Sequence, residues 1–95
     1  MLSKIPFKLE KIKKEEIDKE LLRAAIIAEL DAINLYEQMA ALARSKHIKE
    51  VLLDVAKEEK THVGEFQALL LNFDPEQQKE LWAGKDEVDE ILMKK

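Results

Sequence analysis

The stretch VAKEEKTHVGEF, Val55 to Phe66, decides the fold and also contains its most unusual feature. Its apolar residues recur three and four positions apart, which is the spacing of one buried stripe on an α-helix. Two positions of that stripe are occupied by Glu59 and His62. A carboxylate and an imidazole at core-facing positions predict a binding function in addition to a helix.

The stripe continues in both directions, and an earlier run of the chain has the same spacing around Glu29. Alternating steps of three and four are typical of packed bundle helices. A short turn at residues 44–46 joins the two runs, so we expect an antiparallel hairpin. The two predicted seams are Leu22, Ile26, Glu29, Ile33, Tyr36 and Ala40, and Leu52, Val55, Glu59, His62, Phe66, Leu69 and Phe73.

Capping signals predict the helix bounds and an all-α fold. We expect residues 1–14 to be irregular and residues 15–95 to form one helical hairpin domain with a short C-terminal helix. Ser45 is a good N-cap for the second long helix, and Asp74, Pro75 and Gln77 form the capping box of the third. The predicted long helices run from about 15 to 43 and from 46 to 72. We expect Gly84 to end or break the third helix, with a further helical piece at 86–93, and Gly64 to permit close helix approach.

Composition excludes several classes of function. The 95 residues contain no cysteine, which removes disulfides, zinc fingers, rubredoxin-type iron and thiol catalysis. The net charge of −4 comes from mixed Lys and Glu, without the clustered basic face of a nucleic-acid-binding protein. No apolar run has transmembrane length. We therefore expect a cytoplasmic protein that binds neither membrane nor nucleic acid, and a chain this small and helical predicts partners.

Three ionisable groups in the seams of a small domain need compensation, because a buried unpaired carboxylate costs several kcal/mol. Mutual hydrogen bonds, Glu59 to His62 or Glu29 to Tyr36, are one solution, and a metal ion is the other. Glu and His at i and i+3 lie on one helix face and can bind one ion, and Glu29 on the facing helix can bridge. Oxygen ligands with one imidazole favour iron or manganese, whereas a zinc site would more often include further His or Cys. Other divalent ions are also possible occupants.

The ligand count predicts a dimer. Four-helix di-iron bundles use a Glu from each of two helices and a Glu-x-x-His from each of the other two. This chain has one of each, so the second half of the site should come from a second copy, related by a two-fold axis and completing a four-helix bundle. Apolar residues outside the seams, including Ile27, Leu30, Leu53 and Leu70, predict another interface and a higher oligomer.

The stretches AIIAELDAINLYEQMA and LLDVAKEEKTHVGEFQALLLNFDPEQ resemble the encapsulated ferritins, two-helix members of the ferritin-like superfamily that associate with encapsulin compartments. The resemblance covers about residues 21–92. It implies a ferroxidase centre between two subunits, dimers assembled into a ring, and an encapsulin shell as partner. It implies Glu29, Glu59 and His62 as ligands, Tyr36 beside the metals, and Asp31 as a further metal-site residue, near the position of an acidic residue that guides iron. In the final residues, ILMKK, we recognise no encapsulation peptide, and we recognise no shell domain. Encapsulation is therefore expected from the resemblance alone. Two alternatives stay open: a piece of a fusion protein and a free-standing relative.

We thus predict a ferroxidase that oxidises Fe(II) to Fe(III), with oxygen or peroxide as acceptor, in catalysis by Glu29, Glu59, His62 and Tyr36. Three alternatives stay open. They are a rubrerythrin-type peroxidase, a metal-binding module without turnover, and a helical assembly domain whose polar seam sets pairing register.

Overall fold

The computed structural model describes residues 13–94, which form three α-helices and no strand. A 3-10 helix, Lys14–Glu16, leads into α1, Ile17–Leu42; α2 is Lys46–Phe73 and α3 is Pro75–Met93. The predicted all-α hairpin with a C-terminal helix is confirmed. Of the segment 1–14, predicted to be irregular, only Lys13 and Lys14 are described; the rest lies outside the described residues.

The two turns form where the capping residues predict them. Ser45 Oγ accepts a hydrogen bond from the backbone N–H of Ile48 at 3.3 Å, which starts α2. Asp74 Oδ1 accepts one from the backbone N–H of Gln77 at 3.1 Å, and Pro75 occupies the first turn of α3. Each cap satisfies a backbone donor that has no partner inside its own helix. A turn of three residues and a link of one residue therefore separate the three helices.

The third helix differs from its prediction. It runs for 19 residues without interruption through Gly84, so the predicted break there is wrong. Among the described residues neither glycine has a positive φ, and a Cβ added at Gly64 or Gly84 would meet nothing within 4 Å. A glycine ends a helix when it adopts the left-handed conformation, and Gly84 does not. The close helix approach predicted at Gly64 is likewise absent from the described part of the chain.

The helices α1 and α2 pack through small and apolar side chains. On α2 the two buried residues are Ala56 and Leu70, and neither belongs to the predicted seam. The seam residues Leu69 and Phe73 are 49% and 55% exposed. The hairpin thus packs internally through a second apolar stripe of α2, and the seam itself stays half open. The buried residues of α1 are Ala24, Asp31, Ile33 and Ala40.

The molecule is flat, because α3 projects away from the hairpin. The radius of gyration is 16.9 Å, against about 12 Å for a compact domain of this length. The principal dimensions are 49 × 46 × 19 Å. No residue of α3 is buried. Over the described residues, each helix is too short or too polar to cross a membrane.

Candidate metal centre

The hairpin brings Glu29 of α1 opposite Glu59 and His62 of α2. His62 Nδ1 lies 3.4 Å from Glu59 Oε2 and 3.5 Å from Glu29 Oε2. One ligand atom from each of the three side chains lies within 4.8 Å of the other two. Glu59 and His62 share a helix face because they are three residues apart, and antiparallel packing supplies Glu29 from the facing helix. The three predicted ligands therefore converge in a single chain.

One oxygen of this cluster lacks a hydrogen bond. Glu29 Oε2 is buried and, among the described residues, is the one buried side-chain oxygen or nitrogen atom without a hydrogen-bonding partner. Its 3.5 Å contact with His62 Nδ1 is an ion-pair distance and falls short of hydrogen-bond geometry. A buried carboxylate oxygen without a donor is costly, and such atoms in native proteins call for an explanation. A bound cation would be one.

The spacing and chemistry of the donors fit such a cation. Divalent ions such as zinc and magnesium bond to nitrogen and oxygen ligands at about 2.0–2.1 Å, so the ligand atoms of one ion lie about 3–4 Å apart. The two contacts of His62 Nδ1, 3.4 Å and 3.5 Å, fall in this range. Two carboxylates and one imidazole suit iron or manganese among the divalent metals. The cluster is therefore compatible with one metal ion per chain.

The same cluster is open on one side. The side chains of Glu29 and Glu59 are 20% and 19% exposed, and that of His62 is 44% exposed. Three protein donors leave coordination positions unfilled for a six-coordinate metal ion. Because the half-exposed Leu69 and Phe73 follow on the same seam of α2, an apolar surface borders the open side.

Two other predicted site residues lie outside this cluster. Tyr36 is two turns beyond Glu29 on the same face of α1, partly exposed, and its hydroxyl makes no hydrogen bond within the described residues. Asp31 is 9% exposed, and it interacts with another group of the chain. Being two residues from Glu29, it points to a different side of α1. The three-residue cluster does not include it.

The remaining acidic residues near the centre face solvent. Glu58 and Glu65 on α2 are exposed, and the cluster of Glu29, Glu59 and His62 is the one group of three metal-binding side chains within residues 13–94. His47 lies at the start of α2 and is exposed. One polar contact that the sequence did not predict joins Arg23 of α1 to Asp74, far from this centre. Its partners are 51 residues apart, so no local pattern indicates it.

Comparison with known proteins places the chain among ferritin-like proteins. The family model described as Rubrerythrin matches residues 20–91. The chain is 64% identical over 78 residues to the ferritin-like–encapsulin shell fusion protein of Pyrococcus furiosus. That match covers 82% of this chain and 22% of the fusion protein, so the chain spans about a fifth of the length of this curated relative.

A solved structure gives the same answer for the fold. The crystal structure of the encapsulated ferritin domain from Pyrococcus furiosus superimposes with a TM-score of 0.80 at 54% sequence identity. The alignment covers 95% of this chain and 92% of that one. The resemblance to encapsulated ferritins, predicted from the stretches around Glu29 and Glu59, is confirmed.

Proposed function

Because this chain belongs to the rubrerythrin family of ferritin-like helical proteins, we propose that it is a ferroxidase. Its substrate would be Fe(II), oxidised to Fe(III) at a di-iron site between two subunits. The observation that carries the proposal is Glu29 Oε2, a buried carboxylate oxygen without a hydrogen-bond donor, directed at His62 and Glu59. A divalent ion is the partner that this oxygen lacks.

Pairing of two chains balances the charge of the site. Glu29 and Glu59 from two copies supply about four negative charges, and two divalent ions supply four positive ones. The buried centre is then neutral, whereas carboxylates buried without cations would cost several kcal/mol. The half-exposed seam of α2, including Leu69 and Phe73, offers the second copy an apolar surface next to the ligands. A homodimer, extended to a ring-shaped oligomer, is the assembly we propose.

Each side chain has a distinct role in this proposal. Glu29 would hold iron from the helix opposite the Glu-x-x-His pair. Glu59 and His62 would add two further ligands from one face of α2. Two Fe(II) ions would supply two electrons to one oxygen molecule. With two protons, this would give one hydrogen peroxide for every two Fe(III). Iron is thus the substrate as well as the occupant of the site.

Two further residues keep their predicted roles as part of the proposal. Tyr36 would donate a hydrogen bond to a ligand carboxylate and so orient it. Its hydroxyl is free to do so, since it makes no hydrogen bond within the described residues. Asp31 would guide iron toward the site or contact it.

We also propose that the protein works in the cytoplasm within an encapsulin compartment, for iron storage and detoxification. The Pyrococcus furiosus fusion protein joins a ferritin-like part to an encapsulin shell, and the matched domain from the same organism is an encapsulated ferritin. A shell would give oxidised iron an enclosed volume, which three helices per chain do not enclose.

A peroxidase reaction is the second candidate, favoured by the match to the rubrerythrin family. With peroxide as acceptor, two Fe(II) and two protons would convert one hydrogen peroxide to two waters. Repeated turnover would then need an electron donor, and the chain has no cysteine to hold a rubredoxin-type iron. We therefore rank it below the ferroxidase.

The decisive experiment compares neighbouring carboxylates on α2. Glu59→Gln removes the charge of a ligand, and Glu58→Gln removes an exposed charge one residue away. Loss of a ligand should exceed the 10- to 100-fold cost typical of altering residues that only support ligands, so Glu59→Gln should slow Fe(II) oxidation more than about 100-fold. Glu58→Gln should change it by less than about twofold. Tyr36→Phe should fall between them. Aerobic Fe(II) addition, followed by ferric absorbance, measures the rates.

Three outcomes discriminate among the candidates. If the protein binds iron but does not catalyse its oxidation, the metal-binding module without turnover is the remaining candidate. Repeated reduction of peroxide with an added electron donor, without accumulation of Fe(III), would favour the peroxidase. Unchanged iron content in Glu59→Gln, with an altered oligomer, would mean that the polar seam only sets pairing register.

A further inference from the structure

Within residues 13–94, the third helix has little packing that would fix its direction. None of its residues is buried, and its large apolar side chains are exposed, with Trp82 at 63% and Leu92 at 75%. Its first half faces α2 across an open groove lined by Gln67, Leu71, Gln78, Leu81, Trp82 and Lys85. Beyond that groove, apolar burial within the described chain does not hold α3 at its observed angle.

The link to α2 is a single residue, Asp74, with φ −137° and ψ 80°. Two soft dihedral angles therefore control the direction of a helix of 19 residues. Such a helix is about 28 Å long, so a change of about 10° at its base moves its tip by about 5 Å. Pro75 narrows the range open to Asp74 but does not select one angle.

The carboxylate of Asp74 connects all three helices. Its Oδ1 accepts a hydrogen bond from the backbone N–H of Gln77 at 3.1 Å, in the first turn of α3. Its Oδ2 accepts one from Arg23 Nη2 of α1 at 2.9 Å. The Asp74 side chain is 14% exposed and that of Arg23 is 41% exposed. Arg23 is oriented in turn by Glu20, 3.6 Å away on α1.

We infer that Arg23 is the positioning residue for α3. It sets the angle between this helix and the hairpin by holding the Asp74 carboxylate that caps α3. The bond from a guanidinium to a carboxylate is charge-assisted and directional, which a contact between apolar surfaces is not. We call the contact between Arg23 and Asp74 the elbow. The geometry of any assembly formed through the exposed residues of α3 would depend on it. The inference does not depend on the metal centre.

The surroundings of Asp74 favour its ionised form. The hydrogen bond from the Gln77 backbone lowers the pKa of the Asp74 carboxyl below its usual range, and the hydrogen bond from Arg23 and the charge of Lys19 act in the same direction. Glu16 pairs with Lys19 at 2.6 Å, so Lys19 is shared. At neutral pH the elbow is fully charged.

Spin-label distances test the elbow directly, because the chain has no native cysteine. Asp54→Cys on α2 and Glu87→Cys on α3 place labels at exposed positions on either side of it. The labelled full chain, diluted with unlabelled protein, is measured by pulsed electron resonance without metal. In the unaltered elbow we expect one narrow distance distribution. Arg23→Gln and Asp74→Asn should each broaden it by roughly 3 Å, because Glu87 lies about 18 Å from the base of α3 and a change of about 10° moves it by that distance.

The controls separate the elbow from general loss of charge. Arg44→Gln alters the other arginine of the chain, in the hairpin turn, and Asp89→Asn breaks an ion pair with Lys85 that stays within α3. Both should leave the distribution narrow. A label pair at Asp18→Cys and Asp54→Cys, within the hairpin, should be unaffected by every variant. Asp74→Asn retains a good N-cap, so α3 stays folded. An unchanged distribution in either Arg23→Gln or Asp74→Asn overturns the inference.

Discussion

The hairpin and the third helix of this protein are built on opposite principles. Helices α1 and α2 bury a stripe of small and apolar residues, among them Ala40 at 1% and Ala56 at 2% exposure. No residue of α3 is buried, and this helix contacts the hairpin at its base through the polar groups of Asp74. The hairpin therefore has a defined core that positions the cluster of Glu29, Glu59 and His62, whereas α3 has a defined direction without a core.

This difference shows where precision is needed. Metal ligands must be held within about 0.5 Å of the positions that binding requires, and packed helices provide that accuracy. Helix α3 carries none of the three predicted ligands, and its large apolar side chains are exposed. The apolar residues outside the seams thus fall into three sets: those that close the hairpin, such as Leu70, those that the hairpin exposes, such as Leu30 and Leu53, and those that α3 exposes.

The largest expected difference compares one substitution in the two regions. Leu70 on α2 is 6% exposed, and Leu92 on α3 is 75% exposed. Leu70→Ala should lower the free energy of unfolding by about 2–5 kcal/mol, because it leaves a cavity in the hairpin. Leu92→Ala should change it by less than about 0.5 kcal/mol, as is usual at exposed positions. Urea unfolding of the metal-free protein at low concentration measures both.

Equal effects of the two substitutions would contradict the contrast between the regions. A large loss in Leu92→Ala would mean that α3 is packed in the metal-free protein, against this chain or another copy. Repeating the measurement at higher protein concentration separates these two cases, since only contact between copies depends on concentration.

A smaller effect concerns the elbow and depends on pH. The native pKa of Asp74 lies below the usual 3.8, so ionised Asp74 stabilises the folded chain. That stabilisation is complete above the usual pKa and is lost as the pH falls through the lower native value. The melting temperature of Asp74→Asn should therefore lie below that of the unaltered chain at neutral pH. The gap should close in acid, where a protonated aspartic acid resembles asparagine.

Circular dichroism melting between neutral pH and about pH 2 follows this gap. Asp89→Asn, within α3, serves as the comparison, because its ion pair with Lys85 does not reach another helix. A gap that persists unchanged into strong acid, or widens there, would rule out the charge of Asp74 as its cause.

Local signals were sufficient to predict most of the fold. Ser45 and Asp74 are N-caps whose side chains accept the expected backbone hydrogen bonds, so the starts of α2 and α3 could be predicted. Gly84 could not be judged in the same way, since glycine ends a helix only in a conformation that the sequence does not specify. The sequence also did not show which apolar stripe of α2 packs against α1. The seam and the stripe of Ala56 and Leu70 repeat with the same period.

The candidate site was predictable for a related reason. Glu59 and His62 interrupt a seam three residues apart, and Glu29 interrupts the facing seam, so their convergence follows from helix geometry. Asp31 has no such relation to the cluster, and its ligand role stays a prediction. The contact of Arg23 with Asp74 joins residues 51 positions apart, and neither lies in a pattern that indicates the other.

The central claim is that one chain holds half of a di-iron centre and that a second copy completes it. Native mass spectrometry of the full chain, titrated with Fe(II) in the absence of oxygen, tests this most directly. We expect two irons for every two chains, with pairing promoted by metal. Glu59→Gln should lose both the iron and the pairing, and Glu58→Gln should lose neither. A single chain that holds two irons by itself, or a paired form that binds none, would contradict it.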